Sequence, residues 1–160
     1  MSLTNSQVVP EILRGRDAEN ARGSFWGSGS PSRYTRANRG YIPRRVAESL
    51  DAVAEKHGGI TGIIMSYATP LAVEIAGVWL RPDVTYSMTT SSRHAPNLWR
   101  LDARYLPADA SVEDVENVIA GYVVYDPWKK SFRRGHAARP ETQRYWRELA
   151  ARELAEAVAA

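Results

Sequence analysis

Ser66, Glu74, Ser91, Arg93 and His94 carry the functional groups of nucleophilic, acid–base or anion-binding chemistry within one short stretch of the chain. A serine hydroxyl becomes a useful nucleophile only with a base in hydrogen-bond reach, and an adjacent guanidinium can hold an anion. Ser87 and Thr89 add two more hydroxyls. Val84, Tyr86, Met88 and Thr90 alternate there with Thr85, Ser87, Thr89 and Ser91. On a strand, successive side chains face opposite ways, so the pattern predicts a strand over 85–90 with a face lined by hydroxyls. The candidate polar site is therefore Ser66, Glu74, Ser87, Thr89, Ser91, Arg93 and His94.

The same residues limit what that site can be. No Gly-x-Ser-x-Gly elbow supports a serine hydrolase. Glu74 is the only acid between Glu55 and Asp83, which gives poor support for paired-carboxylate catalysis; Arg93 is its expected partner. There is no phosphate-binding Gly-x-x-x-x-Gly-Lys loop and no Gly-x-Gly-x-x-Gly, so nucleotide-dependent activity is disfavoured. His94 is expected to cap its turn or pair locally. No residue is assigned a catalytic role, and a hydrolase using His94 with Ser66 or Ser91 is the least favoured reading.

The absence of cysteine removes disulfides, thiol catalysis and zinc-finger chemistry. His57, His94 and His136 are too far apart for a local ligand pair. No metal and no cofactor is implied. The 160 residues suit one domain that buries roughly 70% of its unfolded surface. No apolar run approaches a membrane span, and the polar N-terminus lacks a signal-peptide pattern, so a cytoplasmic location without membrane contact is expected.

The net charge of +3 hides a partition. Residues 1–45 hold eight arginines against three carboxylates, and Lys129, Lys130, Arg133, Arg134 and Arg139 stand near one acid, Asp126. The remainder is acidic. Such a chain can meet a polyanion locally. Trp128 and Phe132 interleave with the second basic cluster, as Phe25, Trp26, Tyr34 and Tyr41 do with the first. Stacking plus phosphate contact is how single-stranded nucleic acid is held without sequence readout. Arg33, Arg36, Arg39, Lys129, Lys130, Arg133 and Arg134 are the candidate contacts, although the Trp128 ring is expected to anchor its loop to the body.

The elements that must position these groups read as α+β: a small antiparallel meander packed by two or three helices. Gly/Ser-rich breaks over 1–42 predict an extended basic arm docked on the domain formed by 43–160. A helix follows Pro43, with Val46, Leu50 and Val53 on one face, His57 at its C-terminus and Gly58-Gly59 as its stop. Strands are expected over 60–67, 71–75 and 78–80, with Leu71, Val73 and Ile75 sharing one face and Glu74 opposite. The pattern over 97–105 fits a strand or a helix, and 121–125 extends a helix or forms a strand. Ser111 to Asp114 reads as a capped helix start. A last helix is expected from about Pro140, with Trp146, Leu149, Ala150, Leu154 and Val158 as its stripe.

The segments Ser66-Tyr67-Ala68-Thr69-Pro70-Leu71-Ala72 and Tyr86-Ser87-Met88-Thr89-Thr90-Ser91-Ser92-Arg93-His94, with Trp79 between them, resemble a pattern in small actinobacterial phage and mobile-element proteins of unassigned function. That pattern runs Ser-Tyr-x-Thr-Pro-Ile-Ala, a tryptophan, then Tyr-Ser-x-Thr-Thr-Ser-x-His. Here Leu71 replaces the isoleucine and one extra residue precedes His94. The resemblance implies a phage or mobile-element origin, hence a host-cell cytoplasm, and no mechanism. The excess of arginine over lysine agrees with a GC-rich genome. The expected function is a small non-enzymatic accessory protein that binds nucleic acid through its basic arm and loop. The alternative is a protein–protein or homo-oligomerisation module whose arm grips a partner.

Overall fold

A computed structural model describes residues 2–29, 42–137, 152 and 154–159. Its elements are α1 (Asn5–Leu13), β1 (Asp17–Glu19), β2 (Phe25–Ser28), α2 (Arg44–Lys56), β3 (Gly62–Ser66), β4 (Thr69–Ile75), β5 (Val78–Pro82), a π turn (Thr90–His94), a 3-10 helix (Ala95–Leu101), β6 (Arg104–Leu106), α3 (Val112–Ala120), β7 (Val123–Asp126) and β8 (Ser131–Arg134). Six strands form one sheet in the order β1-β2-β3-β4-β5-β6, and β7-β8 form a separate hairpin. Pairing is antiparallel through β5, and β6 joins β5 in parallel. The α+β architecture holds, with a larger and mixed sheet.

Both faces of the sheet are covered, which is why every residue of β3 is buried. On one face Val46, Leu50 and Val53 of α2 and Val115 and Val118 of α3 pack on Ile63, Met65, Val73, Ile75, Leu80 and Leu106. On the other, Val8, Val9 and Ile12 of α1 and Leu98 and Leu101 of the 3-10 helix pack on Phe25, Ile64, Leu71, Ala72 and Trp79. Leu71 thus shares a face with Ala72 rather than with Val73 and Ile75. A register shift between Ile64 and Met65, opposite Ala72 and Pro70, turns it; one extra residue in a bulge reverses the alternation beyond it.

The segment expected as an arm over 1–42 differs most from its sequence reading. Its described part is built into the body as α1, β1 and β2, and supplies four fully buried core side chains, Val8, Val9, Ile12 and Phe25. Gly27, which looked like a breaker, is a packing requirement. A Cβ there would lie 2.1 Å from the Ile63 carbonyl oxygen and 2.7 Å from Ile12 Cδ1. Residues 30–41 lie outside the described residues, and Arg33, Arg36 and Arg39 with them.

Elsewhere the helix after Pro43 forms as α2, with His57 as its C-cap, and His57 Nε2 lies 2.9 Å from Glu116 Oε2. The Ser111 hydroxyl caps α3 by accepting from the Asp114 amide at 3.1 Å. Arg104 on β6 donates to the last carbonyls of α3, Val118 and Ile119, at 2.8 and 2.9 Å. Residues 97–105 divide into the end of the 3-10 helix and β6, and 121–125 turns at Gly121 into β7. Residues 152 and 154–159 are helical, as expected for the last helix, and Leu154 and Val158 of its apolar stripe are 68% and 80% exposed; Pro140, Trp146, Leu149 and Ala150 lie outside the described residues. No helix among the described residues is long and apolar enough to cross a membrane.

Candidate functional site

The strand expected over 85–90 does not form. Val84 to Ser87 is irregular; Met88 and Thr89 are helical and lead into the π turn, closed by the Ala95 amide donating to the Thr90 carbonyl five residues back. The serines explain the failure. Ser92 donates to the Met88 carbonyl at 2.7 Å and Ser91 to the Tyr86 carbonyl at 3.3 Å, local bonds that stabilise a helical turn instead of a ladder. The neighbouring edge of β5 is already taken by β6.

The π turn seats His94 against the end of β3. The imidazole is 2% exposed, and its Nδ1 lies 2.7 Å from Ser66 Oγ. Ser66 Oγ is also 2.7 Å from Thr90 Oγ1, which accepts from the Ser87 hydroxyl at 3.1 Å. In one assignment every hydroxyl proton has an acceptor: Ser87 donates to Thr90, Thr90 to Ser66, and Ser66 to His94 Nδ1. His94 is then the Nε2–H tautomer. Burial, helped by the Arg93 charge, lowers its pKa below the usual histidine value, so the ring is neutral near pH 7. Phe25 stacks on it with centroids 5.1 Å apart, and Tyr67 tilts against it at 5.7 Å. Tyr67 sits in the tight β3–β4 turn with φ +51°, a left-handed conformation that costs a non-glycine residue about 1–2 kcal/mol.

His94 also forms part of the wall of an open cleft of about 350 Å³, together with Thr4 and Asn5 at the start of α1, Arg22 in the β1–β2 turn, Tyr67 and Arg93. Its three main walls are braced together. Asn20 donates to Asn5 Oδ1 at 2.8 Å, and Asn5 donates to the Arg93 carbonyl at 3.2 Å. Ser66 does not line this cleft and is 1% exposed. The serine–imidazole distance suits nucleophilic catalysis, but a substrate has no path to that hydroxyl. The cleft is lined instead by the exposed Arg22 and Arg93 and by the largely buried His94.

The structure therefore brings Ser66, Ser87 and His94 into one hydrogen-bonded chain, buried at Ser66 and His94 and exposed at Ser87, and places Thr89 and Arg93 on the cleft. Ser91 bonds locally instead, and Glu74 accepts from Thr61 Oγ1 at 2.8 Å, without the expected Arg93 partner. His94 pairs 28 residues away in sequence rather than locally. Nothing in the sequence singles out Asn5, Asn20 and Arg22 as site residues, and Thr90 and Phe25 read there only as part of an alternating strand and as an aromatic of the basic arm. Thr90 carries a signal, as one of the Ser/Thr run over 89–92.

The second basic cluster lies on the β7–β8 hairpin. Asp126 Oδ1 accepts from the amides of Trp128 and Lys129 and shapes its tip; these backbone bonds hold the Asp126 carboxyl below its usual range. Trp128 is 93% exposed, so it does not anchor the loop as expected. That task falls to Phe132, edge-on to Tyr125, and to Lys130, which pairs with Asp83.

No family model, curated protein or solved structure matches this chain. Among the described residues no group of three or more His, Asp or Glu is placed to hold a metal ion. What the chain can do rests on the relay, the cleft and the hairpin.

Proposed function

We propose that the protein binds single-stranded nucleic acid through the β7–β8 hairpin, with Trp128 as a stacking surface and Lys129, Arg133 and Arg134 as phosphate contacts. The 93% exposure of Trp128 carries this reading. A tryptophan at the tip of a hairpin held by other side chains contributes nothing to the core, yet offers one of the largest apolar faces available. Lys129, Arg133 and Arg134 are exposed and form no ion pair with a described residue. Arg33, Arg36 and Arg39 extend the same chemistry in the proposal. The phage or mobile-element origin suggested by the Ser66–His94 pattern is compatible with an accessory role of this kind.

Deleting 1–42 is not a clean test, because it removes α1, β1 and β2 from the core. Substitution at the hairpin is. Fluorescence anisotropy with a labelled oligothymidylate at low salt should show Trp128→Ala weakening binding by about 1–3 kcal/mol, the range for loss of one stacked base. Replacing Lys129, Arg133 and Arg134 by glutamine should reduce the slope of log K against log salt by about 2, at roughly 0.7 per phosphate contact. No binding at low salt, or binding indifferent to both changes, overturns the proposal.

A further inference from the structure

The cleft beside His94 collects hydrogen-bond donors without the carboxylates that would normally accompany them. Arg22 and Arg93 line it, both exposed, and neither guanidinium pairs with a described residue. None of its lining residues is acidic. Glu19 Oε2 lies beside Gly23, the residue after Arg22, but Glu19 does not line the cleft.

The imidazole supplies the independent observation. His94 is 2% exposed, and its Nδ1 is occupied by Ser66. Nε2 has no hydrogen-bond partner among the described residues, yet it is not one of the sealed orphan atoms, Arg81 Nε and Tyr86 Oη. His94 lines the cleft, and Nε2 is its ring nitrogen not taken by Ser66. With Ser66 donating to Nδ1, the neutral ring carries its proton on Nε2, which makes that atom the donor. With no partner from the protein among the described residues, this donor is left for an acceptor arriving from the cleft.

We propose that this cleft binds a phosphoryl oxyanion, with His94 Nε2–H and the guanidiniums of Arg22 and Arg93 as its donors. The ligand class follows from the donor set. Guanidinium forks match tetrahedral oxyanions in charge and geometry, and a neutral imidazole N–H adds a directed bond without repelling the two cations. The α1 N-terminus, where Thr4 and Asn5 meet the cleft, adds a favourable partial charge. The asparagine braces hold the walls before any ligand arrives, so little ordering is needed on binding. The site is separate from the hairpin and does not depend on the nucleic-acid reading.

The test is a titration of the full chain with inorganic phosphate near pH 7.5, against chloride at equal ionic strength, following the His94 imidazole nitrogens by NMR. A saturable shift of Nε2 with phosphate and not chloride is expected. It should weaken about tenfold or more in Arg22→Gln and in Arg93→Gln, each charge-assisted bond being worth at least ~1.4 kcal/mol. Both arginines are exposed, so these variants should fold. Trp128→Ala should leave the shift unchanged, which separates this site from the hairpin. In that background, tighter binding of a 5′-phosphorylated than of a 5′-hydroxyl oligonucleotide would identify a nucleic-acid end as the source of the phosphate. Equal binding of the two would assign the site to free phosphate. No saturable shift, or a shift unaltered when both arginines are replaced, overturns the proposal.

Discussion

Ser66→Ala should be among the most damaging conservative substitutions in the chain. The Ser66 hydroxyl sits between two buried groups, His94 Nδ1 and Thr90 Oγ1, each at 2.7 Å, and in the assignment above it donates to the first and accepts from the second. His94 and Thr90 are only 2% and 4% exposed, so solvent does not replace what the alanine removes. Each buried polar group left without a partner costs about 1–3 kcal/mol. Thr90 keeps its bond from Ser87, which places the expected loss near the lower half of the sum, about 2–4 kcal/mol. For a chain of this size that corresponds to a fall in Tm of about 4–16 °C. Thermal unfolding followed by circular dichroism measures it, with Ser2→Ala at an exposed position as the control expected within about 0.5 kcal/mol of wild type. The imidazole nitrogen shifts read the cause directly. In the wild type, Nδ1 should be the unprotonated nitrogen, and its shift should move when the Ser66 donor is lost. A Tm within about 2 °C of wild type, or an Nδ1 that carries the proton, would refute the relay as drawn.

Other outcomes follow from the same geometry. The His94 pKa is lowered in the fold, so the unfolded chain takes up the proton first. Stability should decline as pH falls below about 6.5, with this residue contributing at most about 1.4 kcal/mol per pH unit. Urea unfolding at stepped pH measures that decline, and His94→Gln should remove its share. At the alkaline end, burial pushes Tyr86 up to about 12, against the pull of Arg81. Its contribution should be intact below about pH 10 and lost as pH rises from 10 through 12, with Tyr86→Phe abolishing the late step in an ultraviolet titration. Gly27→Ala should destabilise by about 3 kcal/mol or more, because the added methyl meets the Ile63 backbone rather than a side chain that can swing aside. Denaturant unfolding gives that number, and a near-neutral result would mean that α1 and β3 can separate at little cost.

The parts of the fold legible in the sequence are those whose local pattern agrees with their tertiary role. α2 has a clear apolar face and a Gly-Gly stop, α3 a capping box, and β3 to β5 close turns and β-branched residues. α1 was hidden because Pro10 stands inside a helix of nine residues, where it removes a hydrogen bond. β2 was hidden because Gly27 answers a close approach to Ile63 and Ile12, a demand set by packing across the sheet. The candidate site was half legible. Ser66, Ser87 and His94 could be named from their types, but their convergence depends on a helical turn that period-two alternation disguised as a strand. Arg22 and Asn5 belong to the site only because residues 2–29 fold into the body, which nothing near Ser66 announces.

The π turn has an evolutionary side. A turn closed over five residues holds one more than an α-helical turn does, and in this chain the surplus falls between Thr90 and His94. That segment can therefore lose a residue by relaxing to an ordinary helical turn while the imidazole stays near the end of β3. Chains differing by one residue here could then keep the same histidine over the same serine, so a single insertion or deletion would count as a change of winding, and an alignment that opened a gap at this point would pair structurally equivalent atoms.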